Sequence, residues 1–381
     1  MNKTSLSLCA AISLLSASAE ATILVSGDYL EITGRVSEPI IIADGSRVTV
    51  RGGEIIAPGQ LRLNTGTVTL APANDGQRLT FEMQGNSFLT STNSVPLFFW
   101  YRSTVRLSDD SLIVARGDTA IGARGGNGEN FLFLENRATV VGNIAVDANV
   151  FITDQARITG RLVEADGNVR LTMSGGSING GVNLTSAGDY SADISGGRVD
   201  NGFRFGSTTA IFHFNMSGGE IYGGFTALGS IGDGNLFDGS IYGGMHLDPM
   251  AHMSVWGGNL NADEDGWLIE TLVSAFSSAP RTVVSLYGGQ IGQLEAGRGI
   301  RLAGFNGLDV YGYDLNLTNG LLSGYLSDGN WLSVNVLTES DWAGAINLHD
   351  VRKSVPEPSA AWLFLTAVTG MLGLRRRKLQ L

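Results

Sequence analysis

The chain has 381 residues, with 53 glycines, 8 prolines and a formal net charge of −11. An apolar fraction of 43% with only 16% charged residues excludes an intrinsically disordered chain, and the absence of a strict Gly-x-y period excludes collagen. An acidic protein surface repels nucleic-acid phosphates and anionic lipid headgroups, so we expect no nucleic-acid partner.

Residues 1–21 have the layout of a secretory signal peptide. Lys3 precedes an apolar stretch over Leu6–Leu15, and small residues at 17–21 fit the small-x-small rule for cleavage. We therefore expect export and removal of this segment. Cys9, the sequence's one cysteine, would be removed with it, leaving no disulfide or thiolate metal site. The alternative, a lipidated cysteine, is disfavoured by the bulky Leu8 directly before it.

Residues 22–137 have β character with irregular spacing. Glycines and apolar residues at 49–56 are arranged as in the repeats that follow. The segments 67–70, 97–100 and 111–114 are short apolar runs typical of strands. We interpret this region as the irregular first coils of a repeat structure.

Residues 138–299 contain an internal repeat of about 20 residues, with the form Gly-x-[Ile/Val]-x-x-Gly-apolar in its clearest copies. The leading glycines of these copies are Gly176, Gly197, Gly219 and Gly239. The first apolar positions, including weaker copies, are Val140, Ile158, Ile178, Val199, Ile221, Ile241, Leu260 and Ile291. This period predicts a solenoid rather than a globular α/β domain.

A right-handed parallel β-helix is the solenoid that this repeat favours. Glycine recurs too often for helical repeats, and the Leu-x-x-Leu-x-Leu frame of leucine-rich repeats is missing. Glycine permits the bends between short strands, and one apolar residue per strand would stack on the next coil. Replacing Ile221 or Ile241 by Asp should then open two adjacent coils. The long step from Leu260 to Ile291 predicts an excursion, for which we expect a helix over Trp267–Phe276.

Residues 300–350 alternate apolar and polar residues, and Asp328-Gly329 is a strong hairpin signal. This region resembles the terminal β segment that other exported β-helix proteins carry. We expect it to form a C-terminal β cap over the open edge of the solenoid. Residues 351–381 would form a linker and a terminal signal.

The C-terminal signal combines three features. A Pro-Glu-Pro motif precedes an apolar stretch over Ala360–Leu374, which predicts a single short helix at the lower limit for crossing a bilayer. A basic cluster follows and should stay cytoplasmic by the positive-inside rule. The residues that define the motif and the cluster are Val355, Pro356, Glu357, Pro358, Ser359, Arg375, Arg376 and Arg377. An ordinary membrane anchor, the alternative, would not require Pro-Glu-Pro.

This order of features resembles the PEP-CTERM sorting signal of Gram-negative bacteria. The resemblance covers about 25 residues, from Val355 to Leu379. It implies an exosortase as a processing partner and an association with exopolysaccharide, biofilm and floc matrix. The chain would then pass through an inner-membrane intermediate, held by its C-terminal helix before processing, to the cell envelope or extracellular matrix.

Several residues are candidates for catalytic or metal sites, and for each a structural role is the simpler interpretation. The acidic clusters are Asp109-Asp110, at a predicted turn, and Asp263-Glu264-Asp265, which followed by Gly266 has part of a calcium-loop pattern. One imperfect calcium-binding nonapeptide is suggested by Gly125–Asn130. The basic residues available for a lyase are Arg198, Arg204 and Arg281. The histidines, which lack metal-ligand spacing, are His213, His246, His252 and His349.

Tyr222 and Tyr242 occupy the same position in consecutive repeats, with Trp256 nearby. They could form a stacked surface for sugar rings, or simply pack between coils. Taken together, the sequence predicts an exported structural or matrix protein with no enzymatic activity and no cofactor. The alternatives are a polysaccharide lyase or hydrolase on the same scaffold, and a surface adhesin.

Overall fold

The structure, a computed structural model, describes residues 79–91, 95–100, 102–125, 129–165, 167–207, 210–228, 231–248, 250–271, 282–292, 299–303, 306–338 and 346–351, together with seven strands between residues 23 and 70. The predicted signal peptide at 1–21 and the sorting signal at 355–377 lie outside these residues. In the described part, no helix has the length and hydropathy that crossing a membrane requires.

Strands follow one another along the whole described chain. The first twelve are β1 Ile23–Ser26, β2 Tyr29–Ile32, β3 Arg35–Val36, β4 Ile40–Ala43, β5 Arg47–Arg51, β6 Glu54–Ala57, β7 Val68–Leu70, β8 Leu79–Gln84, β9 Phe88–Ser91, β10 Leu97–Trp100, β11 Ser103–Leu107 and β12 Leu112–Arg124. The next twelve are β13 Phe131–Leu134, β14 Thr139–Val146, β15 Asn149–Ile152, β16 Arg157–Ile158, β17 Leu162–Glu164, β18 Val169–Ile178, β19 Val182–Leu184, β20 Asp189–Val199, β21 Phe203–Gly206, β22 Ile211–Tyr222, β23 Phe225–Leu228 and β24 Ile231–Tyr242. The last are β25 Met245–Leu247, β26 Ala251–Val255, β27 Asn259–Asn261, β28 Ile269–Thr271, β29 Val283–Leu286, β30 Gln290–Ile291, β31 Ile300–Leu302, β32 Gly307–Thr318, β33 Leu321–Leu326, β34 Trp331–Thr338 and β35 Ile346–Asp350.

The strands form a solenoid, because all except β33 pair in parallel with a strand of a neighbouring coil. Ladder 1 contains β15, β18, β20, β22, β24, β26, β29, β32 and β35. Ladder 2 is formed by the C-terminal ends of β18, β20, β22 and β24, followed by β27 and β30. Ladder 3 contains β17, β19, β21, β23, β25, β28, β31 and β34. The predicted all-β solenoid is therefore confirmed, and β1–β14 continue it toward the N-terminus.

The core is a continuous column of apolar side chains inside the coils. All eight of the apolar repeat positions predicted from the sequence are buried, from Val140 at 0% exposure to Ile291 at 6%. The middle coils add a cluster of phenylalanines, in which Phe214 lies 4.5 Å from Phe225 and 5.6 Å from Phe203 between ring centroids. Each such side chain contributes about 1.5–3 kcal/mol when it leaves water, so coils stabilise one another through shared apolar contacts.

The repeated glycines mark the corners of the coil. The leading glycines Gly197 and Gly219 have φ angles of +86° and +84°, which side chains with a Cβ rarely adopt. They also lie against the previous coil, since a Cβ added at Gly219 would be 2.8 Å from the carbonyl oxygen of Gly197. The corner into ladder 3 uses glycines in the same way, with Gly202 at +86° and Gly224 at +83°.

The predicted excursion after Leu260 begins with a longer corner. Gly243 and Gly244 alone connect β24 to β25, whereas residues 262–268 connect β27 to β28 one coil later. The predicted helix over Trp267–Phe276 is wrong for its first half, because Ile269–Thr271 form β28 and pair with β25. A short apolar run does not distinguish helix from strand, and pairing with the neighbouring coil decides for strand. Residues 272–276 lie outside the described residues.

The C-terminal segment contains an antiparallel sheet. β33 pairs antiparallel with β32 and with β34, and the predicted turn at Asp328-Gly329 connects β33 to β34 with Gly329 at a φ of +90°. The end of β34 then returns to ladder 3 beside β31, and β35 lies beside β32 on ladder 1. The antiparallel sheet thus leaves the coil and rejoins it.

Candidate functional site

A group of charged side chains lies on the outer surface of ladder 3. His246 on β25, Glu270 on β28 and Arg301 on β31 occupy the same register position in three successive coils. Their strand neighbours Leu247 and Ile269 are buried, so the alternation of a strand directs these three side chains outward. Sequence reasoning named His246 but neither Glu270 nor Arg301.

The long corner 262–268 brings a fourth charged group to this column. Asp263 begins a tight turn in which its backbone N–H donates to the Trp267 carbonyl oxygen at 2.9 Å. The Asp263 Oδ1 accepts a hydrogen bond from the Trp267 backbone N–H at 2.7 Å. We call Asp263, His246, Glu270 and Arg301 the His246 cluster.

Both carboxylates of the His246 cluster face its imidazole. The Nδ1 of His246 lies 3.0 Å from Glu270 Oε2, and its Nε2 lies 3.4 Å from Asp263 Oδ2. The second oxygen of Glu270 accepts a hydrogen bond from Arg301 Nη1 at 2.6 Å. The Nδ1 contact is a hydrogen bond, whereas the Nε2 contact is an ion pair that requires a protonated imidazole. In that state the cluster holds two cations and two anions, so its charges balance.

The geometry favours a clamp over an acid–base centre. The side chains of Asp263 and Glu270 are only 13% and 14% exposed. Each of their four oxygens has a partner inside the cluster or on the long corner. A general acid or base must direct a free proton site at a substrate, whereas these carboxylates direct their oxygens at His246, Arg301 and Trp267. The Arg301 guanidinium also lies 5.7 Å from the Trp267 ring, which holds the corner against the coil.

In the acidic run 263–265, the Asp263 carboxylate is directed at other residues of the chain. Asp263 uses both oxygens on Trp267 and His246. No group of three or more His, Cys, Asp or Glu side chains within the described residues is arranged to hold a metal ion.

The other predicted acidic pair stabilises a turn. Asp109 has a φ of +59°, and its carboxylate accepts hydrogen bonds from the Gly85 backbone N–H at 3.0 Å and from the Asn136 side chain at 3.1 Å. Asp110 forms an exposed ion pair with Arg137, whose hydrogen bond lowers the pKa of that carboxyl. The pair lies far along the chain from the His246 cluster and connects neighbouring coils.

The remaining basic candidates do not converge. Arg198 pairs with Asp200 at 2.7 Å and lies 4.1 Å from the Tyr222 ring centroid. The Nδ1 of His252 lies 3.6 Å from Asp233. His349, Arg204 and His213 lie elsewhere on the surface, and Arg281 lies outside the described residues.

The possible calcium nonapeptide is also used structurally where it is described. Asn130 is buried, accepts a hydrogen bond from the Ser103 backbone N–H at 3.1 Å and donates to the Asp147 carbonyl oxygen at 3.2 Å. It therefore connects three coils from inside, while residues 126–128 lie outside the described residues.

Aromatic side chains form columns along the solenoid, and their faces cover one another. The rings of Tyr222 and Tyr242 stack with centroids 4.5 Å apart and an interplanar angle of 12°. A second column has Trp256 and Tyr287 at 3.8 Å, then Tyr287 and Tyr311 at 4.2 Å. The hydrogen bond with Tyr287 and partial burial raise the pKa of Tyr311. Within each of these stacked pairs, one ring covers a face of its neighbour.

The sequence analysis does not predict the second aromatic column, although the sequence contains a pattern that marks it. Its members differ in type but share one position, directly after the last inward residue of each ladder 1 strand. They are Phe237, Trp256, Tyr287, Tyr311 and His349.

The sorting-signal residues 355–359 and 375–377 lie outside the described residues. The charged and aromatic side chains of the solenoid connect coils, and the His246 cluster fixes a long corner. Compared with protein-family models, curated proteins and solved structures, the chain matches none.

Proposed function

We propose that the chain is an exported structural protein of the cell surface or extracellular matrix, associated with exopolysaccharide and without catalytic activity. One observation carries this proposal: outward side chains of the solenoid are bonded to side chains on the next coil. A right-handed winding, the rule for parallel crossovers, completes the proposed architecture.

Ion pairs illustrate this use of the surface. Arg106 on β11 pairs with Glu135, just after β13 on the next coil, at 2.7 Å. Arg102 pairs in the same way with Glu129 at 2.7 Å. Single exposed pairs contribute little, but a row of such contacts along many coils resists bending and unwinding. A rod of this kind suits a matrix component.

The terminal segments supply the route in this proposal. The signal peptide at 1–21 would start export, and the apolar helix at 360–374 would hold an inner-membrane intermediate. An exosortase would then process the chain at the Pro-Glu-Pro signal and release the solenoid to the envelope or matrix. The layout of these segments in the sequence supports this route.

Two other functions each have one observation in their favour. The convergence of Asp263, Glu270 and Arg301 favours a carbohydrate-active enzyme, but both carboxylates are already partnered within the His246 cluster. Exposed rings on the antiparallel sheet, with Tyr325 at 37% and Trp331 at 53%, favour an adhesin. Neither observation involves as much of the molecule as the coil-to-coil contacts.

The test is incubation of the mature chain with the exopolysaccharide of the producing organism, scored for retention and for chain shortening. We expect retention with no shortening. Shortening that disappears in the Asp263→Asn variant would replace the structural proposal by the enzymatic one. Absence of retention, with retention instead on whole cells lacking the polysaccharide, would favour the adhesin.

A further inference from the structure

A cavity of about 350 Å³ opens on the surface of ladder 1, over β15, β18, β20 and β22. This volume lies at the lower end of the range for small-molecule sites, roughly 300–1,000 Å³. It therefore suits one or two sugar units rather than a buried chain. Apolar surface makes up most of its lining, and the polar side chains on it include Asn149, Asn168, Arg170, Asp189, Ser191 and His213.

The cavity follows one column of outward positions. Arg170, Ser191 and His213 are register partners in three successive coils. Strands in a sheet are about 4.8 Å apart, so the backbones of Arg170 and His213 are about 10 Å apart. The small Ser191 between them leaves the space that the cavity occupies. Two nitrogen-bearing side chains thus lie at the two ends of one opening.

Arg170 is available to a ligand. Its side chain is exposed and has no hydrogen-bond or ion-pair partner among the residues that the structure describes. Arg106 and Arg301, in contrast, are already paired with Glu135 and Glu270. A guanidinium presents parallel N–H groups that match the two oxygens of a carboxylate. On a chain with a net charge of −11, a cation inside a cavity gives that cavity a preference for an acidic group.

The rest of the lining suits a sugar ring. Ile211 is 42% exposed and provides an apolar wall. The exposed Asp189 carboxylate can accept hydrogen bonds from hydroxyl groups, and its backbone N–H is held by Asn168 Oδ1 at 2.8 Å. Either neutral tautomer of His213 has one N–H donor.

The floor of the cavity is fixed before any ligand arrives. Tyr190 is 1% exposed, and its hydroxyl donates to the Ser186 carbonyl oxygen at 2.8 Å. Its ring stacks on Phe205 in the core with centroids 6.3 Å apart. A preformed floor reduces the ordering cost of binding.

From these observations we infer that the cavity binds a saccharide unit carrying a carboxylate, a uronate, with the carboxylate on Arg170 and the hydroxyls on Asp189 and His213. The inference rests on the proposed association with exopolysaccharide and names the chemical class that the solenoid recognises.

The experiment measures binding of a β-linked mannuronate trimer to the full chain by calorimetry, with the equally linked mannose trimer as the neutral probe. We expect the uronate to bind at least about tenfold more tightly than the neutral trimer. Arg170→Gln should lower the affinity for the uronate trimer at least about tenfold, as expected for the loss of a hydrogen bond to a charged group. The matched control is Arg204→Gln, which alters an exposed arginine outside the cavity and should leave affinity unchanged.

A second variant tests the cavity itself. Ser191→Trp should fill the opening and abolish uronate binding while the circular dichroism spectrum stays that of a β-solenoid. Equal affinity for both trimers, or equal loss with Arg170→Gln and Arg204→Gln, would overturn the inference. If the native polysaccharide is retained by wild type and Arg170→Gln alike, the uronate site is wrong while the proposed function stands. If the trimer binds through Arg170 but the polysaccharide is not retained, the site stands and the proposed function is wrong.

Discussion

The imidazole Nδ1 of His246 lies 3.0 Å from the Glu270 carboxylate, across two adjacent coils whose residues are 24 positions apart in sequence. This contact joins a coil with a two-glycine corner to a coil with a long one. Asp263 from the long corner meets the other side of the same imidazole. The cluster therefore holds the long corner, which interrupts the repeat, against the preceding coil.

Glu270→Gln should destabilise the protein by about 1–3 kcal/mol, because it leaves a mostly buried guanidinium–imidazole pair without its central anion. Urea unfolding followed by tryptophan fluorescence measures this loss, since Trp267 lies on the long corner. The control is Asp110→Asn, which breaks an exposed ion pair with Arg137 and should leave the unfolding midpoint unchanged. Equal behaviour of the two variants would show that the His246 cluster is not a clamp.

Gly219→Ala should lower the free energy of unfolding by about 1–3 kcal/mol. The residue has a φ of +84°, and its new Cβ would press on the backbone of Gly196 and Gly197. Gly206→Ala is the matched control. A Cβ at Gly206 would be closest to a side-chain atom, Thr185 Cγ2 at 3.2 Å, and its nearest backbone atom, the Leu228 carbonyl oxygen, is at 3.8 Å, an ordinary van der Waals contact. Thermal unfolding measures the midpoint temperature of both variants, and we expect it to fall further for Gly219→Ala than for Gly206→Ala. Equal midpoints would contradict the role assigned to the corner glycines.

The solenoid was predictable because its corners and core repeat in the sequence. A glycine at positive φ and an inward Ile or Val recur at nearly fixed spacing. Each repeat therefore carries its own corner and core residues, such as Gly219 and Ile221, and both can be recognised in the sequence. The His246 cluster was not predictable, since His246 and Glu270 become neighbours only once the length of the intervening corner is known. The second aromatic column was not predicted, because residues of different types fill its one shared position and no single residue type repeats there.

Tyr190→Phe should change how stability depends on pH. Burial, together with the negative charge of Glu164, raises the pKa of Tyr190 in the folded protein. The unfolded phenol loses its proton near pH 10, while the folded one keeps it, so the unfolded state binds fewer protons above that pH. Wild type should therefore lose stability as pH rises from about 10 toward the raised folded value.

The phenylalanine variant lacks this titration. At pH 7 it should be less stable by about 0.5–1.5 kcal/mol, because the hydrogen bond from Tyr190 to Ser186 is missing. Above about pH 10 the difference should shrink, since only wild type then favours the deprotonated unfolded state. Urea unfolding at a series of pH values measures both stabilities, and a difference that stays constant across the series would contradict the prediction.

Replacing Pro356, Glu357 and Pro358 by alanine should separate membrane insertion from release. The apolar stretch 360–374 and the basic residues 375–378 are unchanged, so the tail should still enter the inner membrane. The altered motif should no longer be processed, and the chain should accumulate there at full C-terminal length. Fractionation with mass spectrometry of the C-terminus measures this outcome. Alanine at Lys353 and Ser354 is the control for a change in the linker alone, and equal release of both variants would show that Pro-Glu-Pro is not the recognised feature.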